Sequence, residues 1–558
     1  SMKKLFILLL VTGVVVLLPF HGVQTTEQKN VSRFAPDHFI VKMKKSADVL
    51  AASNPGMSLY EQRIKNLLGS MNVDVRSTKL LFPRDNRKNF MLYSKYELET
   101  YYVIYFEGKQ DIPSLTEQIS KNNEVDFSEP DFIGESAGVK GSSFNVSSAP
   151  NDQFFNRQWG LSNDGSQKTS TGRTGRRNAD MNILKAWEIT TGSEEIIVGI
   201  LDSGTKIDHP DLSGRIWVNT EEVKNGRDDD GNGFVDDING YNFAYDNSNV
   251  KDDGGHGTNI AGTVGASTNN SLGYAGIDQK CRLMICKNLD DENLGEYSWW
   301  AASLYYAANN GARIINMSEG GYDYSKTLEN SINFAYEAGS LIVASMMNKN
   351  NGDTYYPASF KNVLAVGATD TDDSRCREFT WGGGSNWGKH IAVVAPGNRV
   401  YGLDFKDNFN YEVYWSGTSQ STAYVSGFAS VLLAQDPSRT NKELREIITS
   451  TAQDQVGDPR EDKAGWDEYY GYGRVDLYEA LNYGKFSSGK KEVREKVKEE
   501  EKYEDPIYIE EEPPVRIDEG SDSNSTRAKA NDPQDSYRKN RDDNSENKRA
   551  KKPKADER

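Results

Sequence analysis

The sequence is short of cysteine, basic charge and long apolar runs, and each shortage excludes a class of protein. Three cysteines in 558 residues are too few for a disulfide scaffold, and no cluster of histidine and cysteine has the spacing of a zinc site. The formal net charge of −17 argues against nucleic-acid binding, which requires a basic face. Beyond residue 20, no segment is apolar for long enough to span a bilayer. The sequence leaves open whether Cys281, Cys286 and Cys376 form a disulfide.

The first 24 residues are expected to be a signal peptide. Two lysines precede the apolar run "LFILLLVTGVVVLLPF" at 5–20, which is short for a membrane span and is followed by polar sequence. An uncleaved N-terminal anchor is the alternative interpretation. The signal predicts a secreted protein that has no membrane span once the signal is removed.

The rest of the chain divides into four segments of different composition. Residues 35–135 contain strand-like runs such as "HFIVKMK" and helical spacing such as "YEQRIKNLLGSM", which together predict a small α+β unit. A polar linker of small residues covers 136–150. From 151 to 484, short apolar strands alternate with helical segments, as in a mainly parallel α/β sheet. Residues 485–558 form a charged tail with no Phe, Leu, Trp, Met or Cys after Lys490, and we expect them to be disordered.

One serine in the α/β segment has two interpretations. In "SGTSQSTAYVSGFAS" (416–430), Ser419 either begins a buried helix or is a nucleophile held at a helix N-terminus. A nucleophilic serine needs a neighbouring base, because its hydroxyl is barely ionised at neutral pH. The histidines therefore decide between the two.

Only five histidines are present, and His256 is the best candidate for that base. It lies in "DDGGHGTNIAGTVGA", where glycines permit close approach of the backbone to a ligand. His209 in "DHPDL" remains an alternative. His390 precedes a strand, where we expect a structural role, and His21 and His38 fall in the signal and the N-terminal unit.

A base is oriented by a carboxylate, and Asp202 ends the apolar strand in "VGILDSG". Open α/β sheets place their active sites at the carboxyl ends of such strands, although taken alone this aspartate fits a capping role as well. The order Asp202, His256, Ser419 along the chain is that of subtilisin. With the motifs "VGILDSGTKIDHPDL", "GGHGTNIAGTVGA", "INMSEGG" and "SGTSQSTAYVSG", residues 150–484 resemble the subtilisin-like serine protease (subtilase) family.

The resemblance implies a fold and a reaction. The fold is a three-layer α/β subtilisin-like domain with a mainly parallel central sheet, preceded by a small α+β prodomain. Residues 35–135 would be an inhibitory propeptide and folding chaperone whose end lies in the cleft. Ser419 would attack the carbonyl of a peptide or protein substrate, His256 would carry the proton and Asp202 would orient it. Asn348, at the end of "LIVASMMN", takes the position of the amide that faces the oxyanion.

The resemblance also implies a substrate groove, where this chain departs from the family's pattern at Glu319, which replaces the common leucine, and at Met347. The expected substrate-binding residues are Ser318, Glu319 and Gly320 on one edge, Asn293, Leu294 and Gly295 on the other, and Met346 and Met347 at the pocket. Met347 replaces the family's glycine and is expected to narrow the pocket for the residue that precedes the scissile bond. We expect Glu319 and the acids at 290–292 to favour basic residues near that bond, with plain surface solvation as the alternative. Self-cleavage is expected within 136–149, where Lys140 is one candidate.

Two oxygen-rich loops predict bound calcium. The loop "DDDGNGFVDD" (228–237) resembles the first part of an EF-hand loop, with an ordinary acidic turn as the alternative. Its expected ligands are Asp228, Asp230, Asn232, Asp236 and Asp237. By resemblance to the family's strong calcium loop, residues 267–276 imply a second site formed by Asp152, Asp211, Thr268, Asn270, Leu272 and Tyr274.

The sequence therefore predicts a secreted, calcium-stabilised serine endopeptidase that is made as a self-processing zymogen. Two alternatives stay open: a non-catalytic binding scaffold with the subtilase fold, and a protease that cleaves only its own propeptide. Altered residues near Met347 and Ala423 favour a scaffold, whereas the complete triad and Asn348 oppose it.

Overall fold

The structure, a computed structural model, describes residues 33–45, 59–83, 89–142 and 150–484, with only the backbone described at 139–142. The predicted signal peptide (1–24), the charged tail (485–558) and residues 143–149 of the predicted linker lie outside these residues. All of the described residues belong to one compact unit of the chain. Within them, no helix combines the length and the apolar character needed to cross a bilayer.

The N-terminal unit (residues 33–136) is an antiparallel sheet with two of its three helices on one face. Its elements are β1 (Phe34–Met43), α1 (Leu59–Ser70), β2 (Val75–Leu80), α2 (Phe90–Lys95), β3 (Tyr101–Phe106), α3 (Ile112–Ser120) and β4 (Val125–Ser136). The strand order is β4-β1-β3-β2. Because side chains alternate along a strand, Phe39 and Val41 pack against α1 and α3, while Ile40 and Val103 lie on the opposite face. The predicted small α+β arrangement is confirmed.

The α/β domain (residues 150–484) follows a short connecting strand. From that strand onward the elements are β5 (Val139–Ser142), α4 (Ile183–Trp187), β6 (Ile197–Asp202), β7 (Gly240–Asn242), α5 (His256–Gly265), β8 (Arg282–Lys287), β9 (Leu294–Glu296), α6 (Tyr297–Asn309), β10 (Ile314–Met317), β11 (Glu319–Gly320), α7 (Lys326–Glu337), β12 (Leu341–Ser345), β13 (Val363–Thr369), β14 (Ile391–Pro396), β15 (Val400–Tyr401), β16 (Val413–Ser416), α8 (Thr418–Gln435), α9 (Asn441–Thr451) and α10 (Leu477–Leu481).

A seven-stranded parallel sheet in the order β14-β13-β12-β10-β6-β8-β7 forms the centre of this domain. Its strands are buried on both faces, which explains their nearly continuous apolar sequences. On one face Ile200 and Val343 pack with α5 and α8, and on the other face Ile315 and Ile342 pack with α6 and α7. The predicted three-layer α/β architecture with a parallel central sheet is confirmed.

The N-terminal unit packs on the α6–α7 face of the α/β domain. The rings of Phe82 and Tyr93 lie 5.7 and 6.1 Å from that of Tyr305 on α6. Two acidic side chains of β4 accept hydrogen bonds at helix N-termini: Asp131 from the backbone N–H of Ser298, and Glu129 from that of Thr327. Carboxylates at these positions satisfy otherwise unpaired N–H groups and complement the helix dipole.

The two parts of the chain also share sheets. Strand β4 pairs antiparallel with β9 and with β11, so the end of the N-terminal unit lies between two strands of the α/β domain. Strand β5 then pairs antiparallel with β16. The segment 133–142 therefore crosses the carboxyl edge of the parallel sheet, where an α/β domain places its site.

Candidate active site

A buried aspartate–histidine pair lies at the centre of that edge. Asp202 is the last residue of β6 and His256 is the first residue of α5. The Nδ1 atom of His256 lies 2.7 Å from Oδ1 and 2.9 Å from Oδ2 of Asp202, and neither residue has measurable exposure to solvent. The carboxylate thereby fixes the ring so that Nε2 is left for another group.

Asp252, which the sequence analysis did not single out, holds this pair in position. Its carboxylate accepts hydrogen bonds from the backbone N–H groups of Gly255 and Thr258 at the start of α5. It also accepts one from the hydroxyl of Ser203, the residue after Asp202. Burial raises the pKa of Asp252 above its ordinary value, and these donors oppose that shift. One side chain thus links the end of β6 to the start of α5.

Ser419 lies in the first turn of α8, next to Ser318. Its Oγ donates to the carbonyl oxygen of Ser318 at 3.1 Å, and its backbone N–H donates to the carbonyl oxygen of Ala137 at 2.9 Å. The Nε2 atom of His256 is buried and has no hydrogen-bond partner within the part of the chain that the structure describes. A Cβ added at Gly138 would lie 3.0 Å from that Nε2 atom, so the chain passes directly over the imidazole.

Asn348 presents its amide N–H to the same place. It follows β12 by three residues, and its Oδ1 accepts hydrogen bonds from the backbone N–H and the hydroxyl of Thr418. Those bonds fix the oxygen, so Nδ2 faces the other way. A Cβ added at Gly417 would lie 2.6 Å from the Ala137 oxygen and 3.1 Å from Asn348 Nδ2, which places both atoms in one small space. The arrangement provides two donors near one carbonyl oxygen.

The predicted substrate edges both contact the segment that leads to Ala137. Gly295 and Leu294 of β9 are opposite Gly134 and Glu135 on one side. On the other side, β11 pairs with residues 135–136, and the backbone N–H of Ala137 donates to the Ser318 oxygen at 2.9 Å. The carbonyl of Asn293 accepts from the N–H of Ser136. The chain's own residues 133–137 therefore occupy the groove as an extended strand.

Met347 lies in the pocket beside Ala137, whereas Met346 does not. Ala137, Met347 and Tyr355 form one buried apolar cluster in which each is 1% exposed. Met346 points to a different cluster, with Ala365 and Val394. Its predicted place at the pocket is wrong, because β12 ends at Ser345 and the chain beyond it directs the Met346 side chain into that other cluster.

The expectation that Glu319 faces the groove is also wrong. Its backbone pairs with Ser136, but its side chain is fully buried, with Oε1 accepting from Asn288 at 3.0 Å and Oε2 unpaired among the described residues. Burial, reinforced by the charge of Asp202, raises the pKa of Glu319 well above its ordinary value and so favours the protonated carboxyl. On the opposite edge, Asp290 accepts from the N–H groups of Glu292 and Leu294 and so supports its own turn.

Three of the residues predicted to form the second calcium site, Asp152, Asp211 and Asn270, lie near one another. Asp211 accepts from Asn270 Nδ2 at 2.7 Å, and Asp152 Oδ1 is buried with no hydrogen-bond partner among the described residues. Burial, with a contribution from the charge of the nearby Asp152, raises the pKa of Asp211 to about 6. The N–H of Leu272 donates to the side-chain oxygen of Asn270 and that of Tyr274 to the carboxylate of Asp211, so residues 272–274 lie beside these two side chains. Thr268 is in the same loop, where its hydroxyl donates to the Ala266 oxygen.

At the loop 228–237, the structure adds Glu222 to the candidate cation ligands and places the Asp236 carboxylate apart from them. Oxygen atoms of Glu222, Asp228 and Asp230 lie within 4.8 Å of one another, and Glu222 Oε2 is buried without a hydrogen-bond partner in the described part of the chain. Asn232 donates to the carboxylate of Asp230. Asp236 is not in this group; its carboxylate accepts from the N–H groups of Asn225 and Gly226 instead.

Asp237 has a role in the core beside this loop. It is fully buried and accepts hydrogen bonds from Tyr306, Asn232 and Asn219. Burial raises its pKa to about 6. Glu222 was not predicted because it lies outside the loop motif, and Asp252 was not predicted because its contacts are set by the turn before α5. The Asp–Asp–Gly–Gly–His run would have indicated a carboxylate at that turn.

The other candidate residues have structural roles. His209 is buried and its Nδ1 accepts from the N–H of Asp211; burial, helped by the charge of Lys206, lowers its pKa to about 4. The three cysteines are buried and free, which answers the open question of a disulfide. The backbone of Lys140 lies opposite Trp415 in the β5–β16 pair, past Ala137 and Gly138.

Comparisons with known proteins agree on one family. The model of the subtilase family matches residues 193–473. The thermophilic serine proteinase of Bacillus sp. (strain AK1) is 31% identical over 373 residues, covering 67% of this chain and 77% of that protein. Thermitase of Thermoactinomyces vulgaris is 32% identical over 299 residues, covering 54% of this chain and 92% of that protein.

Two further similarities cover more of this chain. The cell wall-associated protease of Bacillus subtilis (strain 168) is 29% identical over 463 residues, and the match spans 80% of this chain and 45% of that protein. The crystal structure of fervidolysin from Fervidobacterium pennivorans, described as a keratinolytic enzyme related to subtilisin, aligns with a TM-score of 0.57 at 20% identity. That alignment covers 80% of this chain and 61% of the other, less than two thirds of its length.

Proposed function

The chain belongs to the subtilase family and is a subtilisin-like serine endopeptidase, and from this premise we propose that it is exported as a precursor that cleaves itself. The catalytic residues of the proposal are Asp202, His256, Ser419 and Asn348. One observation carries it: a peptide carbonyl of the chain itself accepts a hydrogen bond from the Ser419 N–H, beside the paired imidazole. A substrate carbonyl would occupy the same place.

The proposed reaction is acyl transfer through Ser419. A rotation of its side chain turns Oγ from the Ser318 oxygen toward the carbonyl carbon, while His256 Nε2 accepts the proton. The buried Asp202 stabilises the imidazolium that forms and keeps the ring oriented. The Ser419 N–H and the Asn348 amide donate to the oxyanion in a site from which water is excluded.

The N-terminal unit is proposed to be an inhibitory propeptide and folding chaperone. Its last strand fills the groove between β9 and β11, so no other peptide can pair with these edges while it is in place. Its apolar face, which includes Ile40 and Val103, packs with residues of α6 and α7. Self-processing within 136–149 would separate the unit from the protease domain without removing it from the groove.

Calcium is proposed to stabilise the α/β domain at the two oxygen-rich loops. The donors are carboxylate and amide oxygens, the ligands that hard cations prefer. The buried oxygen of Asp152 and that of Glu222, both without hydrogen-bond partners among the described residues, fit a cation that would neutralise them. Export is supported by the apolar segment that follows the N-terminal lysines.

The first test is the precursor of the Ser419→Ala variant, purified with no other protease present. We expect it to remain uncleaved, while the wild-type precursor and the control Ser421→Ala are processed. The Ser421 hydroxyl lies in the same helix but donates to the Ala395 carbonyl. Normal processing of Ser419→Ala would contradict the proposal.

A second test, on the mature enzyme, distinguishes the proposal from the two alternatives, a non-catalytic scaffold and a protease that cleaves only its own propeptide. Labelling by a fluorophosphonate probe, lost in Ser419→Ala, distinguishes a serine protease from a non-catalytic scaffold. Turnover of an unrelated unfolded protein then distinguishes a general endopeptidase from one that cleaves only its propeptide. We expect both labelling and turnover.

A further inference from the structure

The geometry points to Ala137–Gly138 as the bond that the precursor cuts, and to a requirement for a small side chain before the scissile bond in every substrate. This inference rests on the proposed function and specifies the substrate class of the same site. Ala137 is the residue whose N–H and carbonyl contact Ser318 and Ser419, at 2.9 Å each. The chain then continues past the active site into β5, which pairs with β16.

The pocket around the Ala137 side chain is already filled by the enzyme's own residues. A Cβ added at Gly320 would lie 2.8 Å from Met347 Sδ, so the methionine side chain is packed directly on the groove edge. Ser345 Oγ lies 3.6 Å from the same sulfur. Tyr355 completes the cluster, and its ring packs against that of Tyr322 with 4.4 Å between the ring centres. A methyl group fits this space, whereas a larger side chain would have to displace Met347 or Tyr355.

The backbone of Met347 makes this obstruction a fixed feature. Its φ of 71° is in the left-handed region, which a side chain other than glycine rarely adopts. The neighbours therefore hold Met347 in place: its carbonyl accepts from the Asn386 N–H, and its side chain lies between Ser345 and Gly320. Held in this way, the methionine side chain takes up space that a bulky substrate side chain would need.

The residue after the bond is constrained as well. A Cβ added at Gly138 would lie 3.0 Å from both His256 Nε2 and Gln420 Oε1, closer than ordinary van der Waals contact. A small residue on each side of the bond therefore lets the imidazole approach the leaving nitrogen. This geometry replaces Lys140 as the candidate for self-cleavage, because Lys140 lies beyond the bond and not before it.

The proposed cleavage balances as an ordinary hydrolysis. The Ser419 oxygen forms an ester with the Ala137 carbonyl carbon, the C–N bond to Gly138 breaks, and the serine proton passes through His256 to the Gly138 amine. Water then hydrolyses the ester and releases Ala137 as a carboxylate. One water is consumed, Ser419 is regenerated, and the mature chain begins at Gly138.

The test uses the purified full-length precursor with two substitutions of Ala137 and one of Met347. Intact mass and N-terminal sequencing are expected to show a new amino terminus at Gly138 in the wild type and in the matched control Ala137→Ser. We expect Ala137→Phe to slow the first-order processing rate by about 10- to 100-fold, the range expected from overpacking. Adding Met347→Ala to Ala137→Phe is expected to restore most of that loss.

A profile of the wild-type mature enzyme on a peptide library keeps the inference independent of precursor folding. We expect Ala, Gly and Ser before the scissile bond, and a shift toward Leu and Phe in Met347→Ala. Cutting at another bond, equal rates for Ala137→Phe and the wild type, or a library preference for bulky or basic residues would overturn the inference and leave the proposed function standing. Absence of both processing and fluorophosphonate labelling in the wild type would overturn the proposed function too.

Discussion

At the residue scale, Glu319 shows that an acidic residue beside a groove need not charge it. Its backbone lines the groove, while its carboxyl lies in the protein interior next to Asn288 and near Asp202. Ionising it there would leave a second negative charge in the interior close to the carboxylate of Asp202, which costs far more than keeping a proton. The groove therefore has no charge from this residue to attract basic substrates.

We expect Glu319→Gln to stabilise the protein more as the pH rises. In the unfolded chain Glu319 loses its proton above about pH 4.5, whereas in the folded chain its raised pKa keeps the proton, so wild-type stability falls with increasing pH above 4.5. Glutamine has no such dependence. In the Ser419→Ala precursor, melting curves are expected to coincide near pH 4 and to favour Glu319→Gln by at least about 1 kcal/mol at pH 8.

The exposed Glu188→Gln variant is the matched control for that measurement. We expect its stability relative to the parent to be the same at pH 4 and pH 8. A Glu319→Gln protein that is less stable than its parent at pH 8 would show that the carboxyl is ionised in the fold.

We expect Asn348→Ala to slow self-processing of the precursor by about 10²–10³-fold, the loss typical of removing one oxyanion donor. Because the segment proposed to be cleaved is tethered in the groove, the first-order rate reports the chemical step without a separate binding step. The rate is measured from the decay of the precursor band. Asn351→Ala, three residues along the chain, is the control, and its expected rate is that of the wild type. Equal rates for Asn348→Ala and the wild type would exclude the amide as a donor.

At the scale of elements, the sequence predicted what depends on local pattern. Apolar strands alternating with helices indicated a parallel sheet, and the ends of β6, β10 and β12 meet at one edge as such a sheet requires. The direction of single side chains was less accessible: Met346, Glu319 and Asp236 each lie in a predicted motif but point elsewhere. Strand ends and tight turns have no regular alternation, so spacing alone does not give direction there.

The acidic loops illustrate the same limit for binding sites. The loop motif indicated Asp228 and Asp230, and the structure brings them together with Glu222, which precedes the motif by six residues. A contact made by a turn before the loop has no signal in the loop's own spacing. Three carboxylates this close repel one another unless a cation lies between them.

We expect EDTA to lower the melting temperature of the Ser419→Ala precursor and added Ca²⁺ to restore it. A cation present at 100 times its dissociation constant stabilises a folded protein by about 2.7 kcal/mol. Asp211→Asn and Asp228→Asn are each expected to remove part of the response. Asp236→Asn is the control and is expected to keep the full response, because this carboxylate accepts from the backbone N–H groups of Asn225 and Gly226 instead. A melting temperature that EDTA leaves unchanged would identify both loops as ordinary turns.

At the scale of the whole molecule, the N-terminal unit and the α/β domain are joined by long-range contacts that local sequence does not encode. The N-terminal unit and the α/β domain were each predictable from the sequence. The contacts by which Glu129 and Asp131 satisfy N–H groups at the starts of α7 and α6 were not. His38, which was set aside as part of the N-terminal unit, lies in the contact between the two parts. Its Nε2 lies 3.0 Å from Glu296 and 3.2 Å from Asp131.

His38 is expected to act as a protonated link across this contact. Burial alone would lower its pKa, but hydrogen bonds to Asp131, Asp37 and Glu296 outweigh burial and raise the pKa well above the ordinary 6.5. The folded precursor therefore keeps the proton at pH values where the unfolded chain loses it. The stability that the proton contributes is complete below about pH 6.5 and declines as the pH rises from there toward the raised pKa.

We expect His38→Asn to destabilise the Ser419→Ala precursor by about 3 kcal/mol at pH 6, because removing one partner leaves the buried carboxylates of Asp131 and Glu296 uncompensated. The difference in melting temperature from the parent is expected to shrink steadily between pH 6.5 and pH 9, since only the parent loses stability over that range. Lys95→Met is the matched control: Lys95 pairs with Glu337 across the same contact, but both side chains are partly exposed, so a small effect is expected. A His38→Asn penalty that stays constant from pH 6 to pH 9 would mean that His38 is neutral in the folded precursor, and that the two parts of the chain are held together without its charge.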